Sequence, residues 1–265
     1  MDTTLFQNSL IKIGHFIISP ENPEFHRSGL IEKPLIVFPK NTILIKHQNK
    51  DPFVADTSLI NLYNKHQKYK RYSINGKGDD CFWIELSNEL LQQAQPNCSK
   101  DIFNFQNIYC DSATFLMHTQ IFKEILNKSI QPLFIDELVI DFLININRTS
   151  NIKRKLCFSR PSHLKLVERI KVCIHNNLDQ NKSLNSIASD VYSSPFHISR
   201  VFKQITGIGL HQYRNQIRLN SVYSKIQYGE SDLANLAFTH GFSSHSHLSS
   251  GFKKYFGFSP SSLMY

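Results

Sequence analysis

The sequence lacks the features that mark membrane-spanning and secreted proteins. No apolar run approaches the roughly 18–20 residues that a membrane span needs, and residues 1–16 contain no basic cluster followed by an apolar block. We therefore expect neither a membrane segment nor a secretory signal. The cysteines are odd in number and are nowhere spaced as C-x-x-C: Cys81, Cys98, Cys110, Cys157 and Cys173. This pattern argues against a disulfide framework and a zinc finger, and indicates reduced thiols in a cytoplasm.

Motifs of common catalytic sites are also missing. The chain contains no G-x-S-x-G and no Walker phosphate loop. In the N-terminal half, His26, His47 and His66 stand apart and form no H-x-H pair. The sole H-x-H, His245 to His247, lies on a predicted helix, where residues i and i+2 point apart, so we expect His247 to lean inward. We predict no catalytic residue, no metal and no cofactor, and hence no enzyme.

Acidic residues are scarce in the C-terminal part, and positive charge is concentrated there. Residues 1–147 hold 14 Lys/Arg against 16 Asp/Glu, residues 148–162 hold five against none, and residues 163–265 hold 11 against five. The net charge is therefore −2 before residue 148 and +11 after residue 147, which together give the +9 of the whole chain. This asymmetry is typical of a chain that touches a polyanion with one half, although solubility alone also explains it.

The polar, basic segment 148–162 includes Pro161 and is predicted to be an interdomain linker, with a solvated surface loop as the alternative.

The first 147 residues show the pattern of a small β-domain followed by helices. Short apolar runs between turn residues predict strands at 34–38, 42–47, 58–63 and 81–86. Strands this short and closely spaced are typical of a sandwich or small barrel. Residues 113–126 and 132–146 then show helical spacing of apolar residues. Each helix either packs on the barrel or forms a dimer seam, and the sequence leaves both open.

The C-terminal part contains an internal repeat. Residues 184–203 read LNSIASDVYSSPFHISRVFK, and residues 233–253 read LANLAFTHGFSSHSHLSSGFK. A leucine, a second aliphatic residue and an alanine recur 49 positions later, whereas a later aliphatic residue, a Phe-Lys pair and a glycine recur 50 positions later. The second copy thus has one additional residue in its turn. Each copy predicts a short helix, a tight turn and a longer helix.

Two helices joined in this way form a helix-turn-helix. The small alanine lets the helices cross closely, the turn sets their angle, and the second helix faces outward. A chance pair of helices can imitate one copy, but two matching copies argue against chance. Between them, residues 211–229 predict a long connecting helix. If it holds the outer helices about 34 Å apart, both can enter successive major grooves of DNA.

These residues resemble a known family. The stretches SLNSIASDVYSSPFHISRVFKQITG and AFTHGFSSHSHLSSGFKKYFGFSP look like the DNA-binding domain of the AraC/XylS family of bacterial transcriptional regulators. The resemblance covers about residues 165–265 and implies seven helices with two helix-turn-helix modules. Less specifically, DPFVADTSLINLYN followed by GDDC is similar to the cupin-like domains that precede this module in many members.

The expected architecture is therefore α+β. Residues 1–147 are predicted to form a cupin-like β-barrel with packing helices, which binds an effector, mediates dimerisation or does both. Residues 148–162 form the basic linker. Residues 163–265 form an all-α DNA-binding domain with two helix-turn-helix modules.

The resemblance implies which side chains touch DNA. It assigns base contacts to the second helix of each module, at Phe196, Ser199, Arg200, His245, Ser246, Ser249 and Ser250. The guanidinium of Arg200 can bond guanine bidentately, while Phe196 can pack on a thymine methyl or fold back over the core. Lysine amines suit phosphates, which position the protein without specifying sequence: Lys203, Lys253 and Lys254.

Several positions depart from the family pattern. Ser250 stands where the family often has an arginine, and the adjacent Gly251 weakens the helix. We therefore expect the second module to grip mainly the DNA backbone. Tyr192 occupies the usual turn glycine position of the first module.

These observations predict a sequence-specific DNA-binding transcriptional regulator, which the resemblance implies is an activator that contacts RNA polymerase at promoter DNA. The expected location is the bacterial cytoplasm, at the nucleoid when DNA-bound, and not the membrane. A small-molecule effector and a homodimer are the further partners that the resemblance implies. Two alternatives stay open: an architectural DNA-binding protein in which basic charge alone acts, and, less favoured, a metal-dependent cupin enzyme.

Overall fold

The computed structural model of the chain describes residues 1–94, 103, 105–127, 132–153 and 160–264. The chain divides into two compact units, Met1–Lys155 and Leu156–Tyr265. Each unit has its own buried apolar core. Among the helices within the described ranges, none combines the length and the apolarity needed to cross a membrane.

Strands dominate the first unit. They are β1 (Asp2–Gln7), β2 (Ile11–Ile18), β3 (Gly29–Leu30), β4 (Leu35–Pro39), β5 (Ile43–His47), β6 (Phe53–Ala55), β7 (Leu59–Tyr63), β8 (Lys68–Ser73), β9 (Asp79–Leu86) and β10 (Asn107–Tyr109). The helices are α1 (Asn88–Ala94), α2 (Ser112–Leu126) and α3 (Pro132–Lys153). The four strands and two helices predicted here are confirmed.

The strands form two antiparallel sheets. One has six strands in the order β1-β2-β9-β4-β7-β10, and the other has four in the order β3-β8-β5-β6. The predicted α+β class is confirmed, but the barrel is not closed, because no ladder joins the two sheets in the part of the chain that the structure describes.

Helices α2 and α3 cover one face of the six-stranded sheet. The ring of Phe122 on α2 stacks on Phe82 of β9, with 4.2 Å between centroids, and meets Phe38 of β4 edge-on at 5.4 Å. Phe142 on α3 lies 5.4 Å from the ring of Phe38. These aromatic side chains are buried against the sheet, so the helices use them to pack on the β-domain.

The opposite face of the six-stranded sheet looks toward the four-stranded sheet across a cavity of about 270 Å³. Alternate residues of β9 line it, because successive side chains of a strand point to opposite faces. Trp83 is the largest of them, and Gly14 on β2 makes room for it: a Cβ at Gly14 would lie 2.2 Å from the indole ring. The first unit thus has an apolar core on one side of this sheet and a cavity on the other.

Part of the predicted linker, 148–162, is helical. Helix α3 continues to Lys153, and the next helix begins at Pro161. The stretch from 148 to 153 contains neither glycine nor proline, so nothing in its backbone requires the helix to end earlier. The middle of the predicted linker, residues 154–159, lies outside the described residues.

The second unit is helical. Its α-helices are α4 (Pro161–His175), α5 (Leu184–Asp190), α6 (Pro195–Thr206), α7 (Leu210–Gln227), α8 (Leu233–Thr239) and α9 (His245–Phe256), and a 3₁₀ turn follows at Pro260–Leu263. The resemblance implied seven helices, and the last of these is the 3₁₀ turn. Residues of α4 to α7 share one core, which includes Ile170, Ile187, Val201, Phe202 and Tyr213. Burying a side chain such as Phe202 contributes about 2–3 kcal/mol.

Candidate nucleic-acid interface

Helices α6 and α9 begin and end in the same way. The Ser194 hydroxyl accepts a hydrogen bond from the backbone N–H of His197 at 3.2 Å, and Ser244 repeats this with His247 at 3.1 Å. Each helix ends at a left-handed glycine, with φ of 80° at the first and 89° at the second. These N-caps and glycine stops lie 50 positions apart, so the sequence repeat is also a repeat of backbone structure.

The turns before these helices also repeat. The N–H of Ser193 donates to the carbonyl of Ala188, and the N–H of Phe242 donates to that of Ala237, both at 2.9 Å. Both alanines are 1% exposed, which allows the close helix crossing that the sequence predicted. The turn position is left-handed in both copies, with φ of 53° at Tyr192. The tyrosine therefore occupies a conformation that favours glycine.

Each second helix is anchored by a buried apolar face. Ile198, Val201 and Phe202 of α6 are fully buried, and Leu248 and Phe252 of α9 are buried in the same way. The opposite faces are left to solvent, as the helix-turn-helix prediction requires.

The predicted base-reading side chains of the first module share the outer face of α6. Phe196 is 78% exposed, so its alternative placement over the core is wrong. Arg200 and Lys203 are exposed, and Ser199 is half-buried. The spacing of Phe196, Arg200 and Lys203 puts them one above the other along the helix. The structure therefore brings together the residues predicted for the first module.

The predicted contacts of the second module lie on the outside of α9. His245, Ser246, Ser250, Lys253 and Lys254 are exposed, and Ser249 is half-buried. The hydroxyl of Ser249 lies 3.3 Å from Nε2 of His245, so these two side chains support each other. This face presents hydroxyls, an imidazole and amines, but no guanidinium.

Two further predictions concern the same helix. His247 does not lean inward: it is exposed, and its Nδ1 lies 3.0 Å from the hydroxyl of Ser243. It can stay outside because its ring rests edge-on against Phe242, 5.5 Å between centroids. At Gly251 an added Cβ would meet only Phe242, at 3.9 Å, so packing does not require a glycine there. Among the described residues, no three His, Cys, Asp or Glu side chains are grouped as metal ligands.

The outer helices contain no negative charge. Neither α6 nor α9 includes an aspartate or a glutamate. Two acidic residues near these helices in sequence are engaged elsewhere. Asp190 pairs with Lys182 at 2.8 Å, and Asp232 caps the N-terminus of α8. Each outer helix also has the positive end of its dipole at a serine-capped N-terminus. The outer faces are therefore suited to a polyanion.

Sequence reasoning missed Arg218, which joins the connecting helix to the loop after α4 and to the turn of the second module. This side chain on α7 is 2% exposed and donates four hydrogen bonds to residues of two loops. Nε reaches the carbonyl of Leu178 at 2.7 Å, Nη2 reaches Gln180 at 3.0 Å, and Nη1 reaches the Asn181 side chain at 3.0 Å and the Gly241 carbonyl at 3.1 Å. Burial lowers the pKa of Arg218 to about 10, so it keeps its charge at neutral pH.

The position of Gly241 depends on this arginine. Its φ is 71°, and an added Cβ would lie 2.4 Å from the carbonyl of Asp179 and 2.5 Å from Nη2 of Arg218. The turn of the second module, the loop after α4 and the connecting helix therefore meet at one buried guanidinium. No sequence signal identified Arg218, because its partners lie up to 40 positions away.

Hydrogen bonds of His240 also join the end of α8 to the connecting helix. Nδ1 of His240 lies 2.9 Å from the carbonyl of Leu236, and Nε2 lies 3.0 Å from the hydroxyl of Ser221 on α7. Burial lowers the pKa of His240, which favours the neutral ring: Nδ1–H then donates to the carbonyl, and Nε2 accepts from Ser221.

Comparisons with known proteins agree with this geometry. Residues 187–264 match the family model described as a helix-turn-helix domain. The chain is similar to the HTH-type transcriptional activator AarP of Providencia stuartii, with 30% identity over 96 residues that cover 36% of this chain and 71% of that protein. It is also similar to the melibiose operon regulatory protein of Escherichia coli K12, with 28% identity over 143 residues, 51% of this chain and 47% of that protein.

The chain spans less than half the length of several other curated relatives that it matches. Among solved structures, ToxT from Vibrio cholerae O395 aligns over 96% of this chain and 96% of its own, with 15% identity and a TM-score of 0.39. Similarity at this level carries no information about ligand or activity.

Proposed function

The chain belongs to the AraC/XylS family of transcriptional regulators, and from this premise we propose that it regulates transcription by reading promoter DNA with helices α6 and α9. The observation that carries the proposal is the duplicated, identically capped pair of helices, each with a buried apolar face and an exposed face without acidic residues. An outer helix of this kind enters the major groove in helix-turn-helix proteins.

The first module carries most of the base reading. Arg200 presents a guanidinium that can bond O6 and N7 of guanine together, and this contact discriminates against other bases by about 1–3 kcal/mol. The exposed ring of Phe196 offers an apolar contact for a thymine methyl. Lys203 lies farther along the same face and contacts phosphate.

The second module mainly grips the backbone. Ser250 stands at the position equivalent to Arg200 and cannot make a bidentate contact to guanine. His245, Ser246 and Ser249 provide weaker base contacts, while Lys253 and Lys254 neutralise phosphates. Specificity is therefore expected to be uneven between the two half-sites.

The N-terminal unit controls how the DNA-binding unit engages a promoter, by binding a small effector, by homodimerisation or by both. The protein acts as an activator that contacts RNA polymerase, works in the bacterial cytoplasm and associates with the nucleoid when DNA-bound. It is not an enzyme. The names of its relatives, which are activators and operon regulators, support this reading.

A selection of bound sites from randomised DNA tests the proposal, with full-length protein at a stated salt concentration. We expect one strongly specified block and, about one helical turn away, a weaker one. Recovery of DNA without any sequence preference would refute sequence-specific regulation. It would favour the architectural alternative, which is also consistent with the serine-rich face of α9.

Two substitutions separate base reading from phosphate binding. Arg200→Ala is expected to relax preference at one or two base pairs by roughly 5- to 150-fold. Arg200→Lys is the matched control, because it keeps the charge and nonspecific affinity but loses the bidentate geometry. Lys253→Ala is expected to weaken binding to all sequences alike and to reduce the salt dependence by about one phosphate contact. Equal losses on every sequence from all three variants would contradict the assignment.

A further inference from the structure

The cavity of the first unit lies between the two sheets, and part of its wall is apolar. Ile43 and Ile45 of β5 and Ala55 of β6 line it from the four-stranded sheet. Val37, Trp83 and Phe16 line it from the six-stranded sheet. Such a wall favours the apolar body of a ligand over a fully hydrated one, because water in contact with it gains few hydrogen bonds.

Two polar side chains on β7 also line the cavity. Asn61 is 2% exposed, lines the cavity, and its side-chain oxygen has no hydrogen-bond partner among the described residues. Tyr63, two residues along the same strand and 3% exposed, also lines the cavity. Side chains two positions apart on a strand lie roughly 6–7 Å apart on the same face. A buried acceptor without a partner is costly, so a ligand that donates to Asn61 removes that cost.

The charges of the wall disfavour an anionic ligand. Four carboxylates line the cavity, those of Asp2, Glu32, Asp79 and Glu85, against the amines of Lys12 and Lys33. Lys33 is held by Glu85 at 2.9 Å. Asp79 is 3.5 Å from the buried Arg71 behind the wall. Burial raises the pKa of Asp79 to about 6, although Arg71 opposes this, so it is ionised at neutral pH. Counting Arg71, the site keeps an excess of one negative charge.

The volume limits the size of the ligand. A cavity of about 270 Å³ corresponds to about nine water molecules and lies just below the range of about 300–1,000 Å³ for drug-sized ligands. It fits a molecule of about ten non-hydrogen atoms.

From these observations we infer that the cavity binds a small, largely apolar molecule without negative charge, whose hydroxyl or amino group donates a hydrogen bond to Asn61. The inference rests on the proposed function in one respect, since it names the class of effector that the N-terminal unit senses. Binding itself depends only on the cavity.

Trp83 makes the test direct, because it is the single tryptophan of the chain and forms part of the cavity wall. Its fluorescence in the full-length protein is titrated with three probes that share a phenyl body: 2-phenylethanol, phenethylamine and phenylacetate. Each has about ten non-hydrogen atoms, so dissociation constants near the millimolar range are expected for those that bind. The alcohol and the amine should quench saturably, and phenylacetate should bind at least about tenfold more weakly.

Three variants tie the signal to the cavity. Asn61→Ala removes the acceptor and is expected to weaken the alcohol and the amine about two- to tenfold. Ala55→Leu fills the cavity and should abolish saturable quenching. Ile60→Val is the matched control, because Ile60 lies on the same strand but does not line the cavity, and its binding should be unchanged. A melting curve for each variant confirms that the unit is folded.

The outcomes are distinct. Quenching by the amine alone, or by both donors, supports the inference and identifies the head group. Phenylacetate binding as tightly as the others, saturable quenching that survives in Ala55→Leu, or no saturable quenching by any probe would overturn it. The same samples are assayed for binding to the selected DNA site. If no probe quenches the fluorescence but DNA specificity is intact, only the ligand class is rejected. If the probes quench but DNA specificity is lost, the proposed function is rejected.

Discussion

Among substitutions that leave the apolar core of the second unit intact, Arg218→Met should be one of the most destabilising. Methionine keeps much of the length but removes the guanidinium. The carbonyls of Leu178 and Gln180 then lose the hydrogen bonds that Arg218 donates, while the Gly241 carbonyl keeps a bond from the Asn181 side chain at 3.1 Å.

The magnitude follows from those groups. Each of these two carbonyls, if left without a donor, costs about 1–3 kcal/mol. Release of the guanidinium from its buried site offsets part of this, so we expect a net loss of about 2–4 kcal/mol. For a unit of this size, that corresponds to a fall of roughly 10–20 °C in the melting temperature.

The assay is thermal unfolding of the full chain by circular dichroism, followed at the helical transition. Arg214→Met is the matched control, since Arg214 lies one turn earlier on α7, is half-buried and donates one hydrogen bond, to the carbonyl of Lys182 at 2.9 Å. It should cost about 1 kcal/mol. If both variants melt within a few degrees of each other, the clamp assigned to Arg218 is wrong.

DNA binding by the same variant is a second readout. Because Arg218 ties the turn at Gly241 to α7, its loss should weaken contacts of the second module more than those of the first. The footprint of the second half-site is expected to fade at a temperature where the variant is still folded.

Two other substitutions probe stability. The ring of His118 packs on Phe38, and burial lowers the pKa of His118 from 6.5 to about 3. The neutral ring therefore contributes stability that is fully present above pH 6.5 and is lost as the pH falls toward 3. Between pH 7 and pH 5 the loss in free energy of unfolding is about 2 kcal/mol. His118→Phe should remove this part of the pH dependence in melting curves of the first unit, whereas the control at the exposed His26, His26→Gln, should not. If melting temperature depends on pH equally in the two variants, the assignment is contradicted. Tyr192→Gly should stabilise the second unit by about 1 kcal/mol, because the left-handed turn then matches Gly241, and a lower melting temperature would show that the tyrosine makes a stabilising contact.

Much of the fold follows from local patterns in the sequence. The strands at 34–38, 42–47, 58–63 and 81–86 were predicted because apolar runs and turn residues act over a few positions. Helix α6 was predicted from its serine cap, its apolar stripe and its glycine stop, which are equally local. The DNA contacts on α6 and α9 were assigned from the family resemblance and stay predictions, whereas spacing along a helix decides only which side chains share a face.

Other predictions were incomplete or wrong where the answer depends on long-range contacts or on weak local signals. A sandwich or small barrel was predicted from strand length and spacing, but these do not show which edges pair, and no ladder joins the two sheets in the described part of the chain. The inward placement of His247 was inferred from helical geometry alone, whereas Ser243 and Phe242 hold it at the surface. The linker was predicted from composition, which does not show where helix α3 ends.

The sequence by itself therefore determined the α+β class, the duplicated helix-turn-helix and the exposed face of each outer helix, because periodicity, caps and charge are properties of neighbouring residues. Only the tertiary structure decided that Arg218 joins three segments and that Asn61, Tyr63 and Trp83 share a cavity with Ile43 and Ile45. These groups come from loops and sheets that are distant along the chain. Their meeting depends on how the elements pack, which no local pattern encodes.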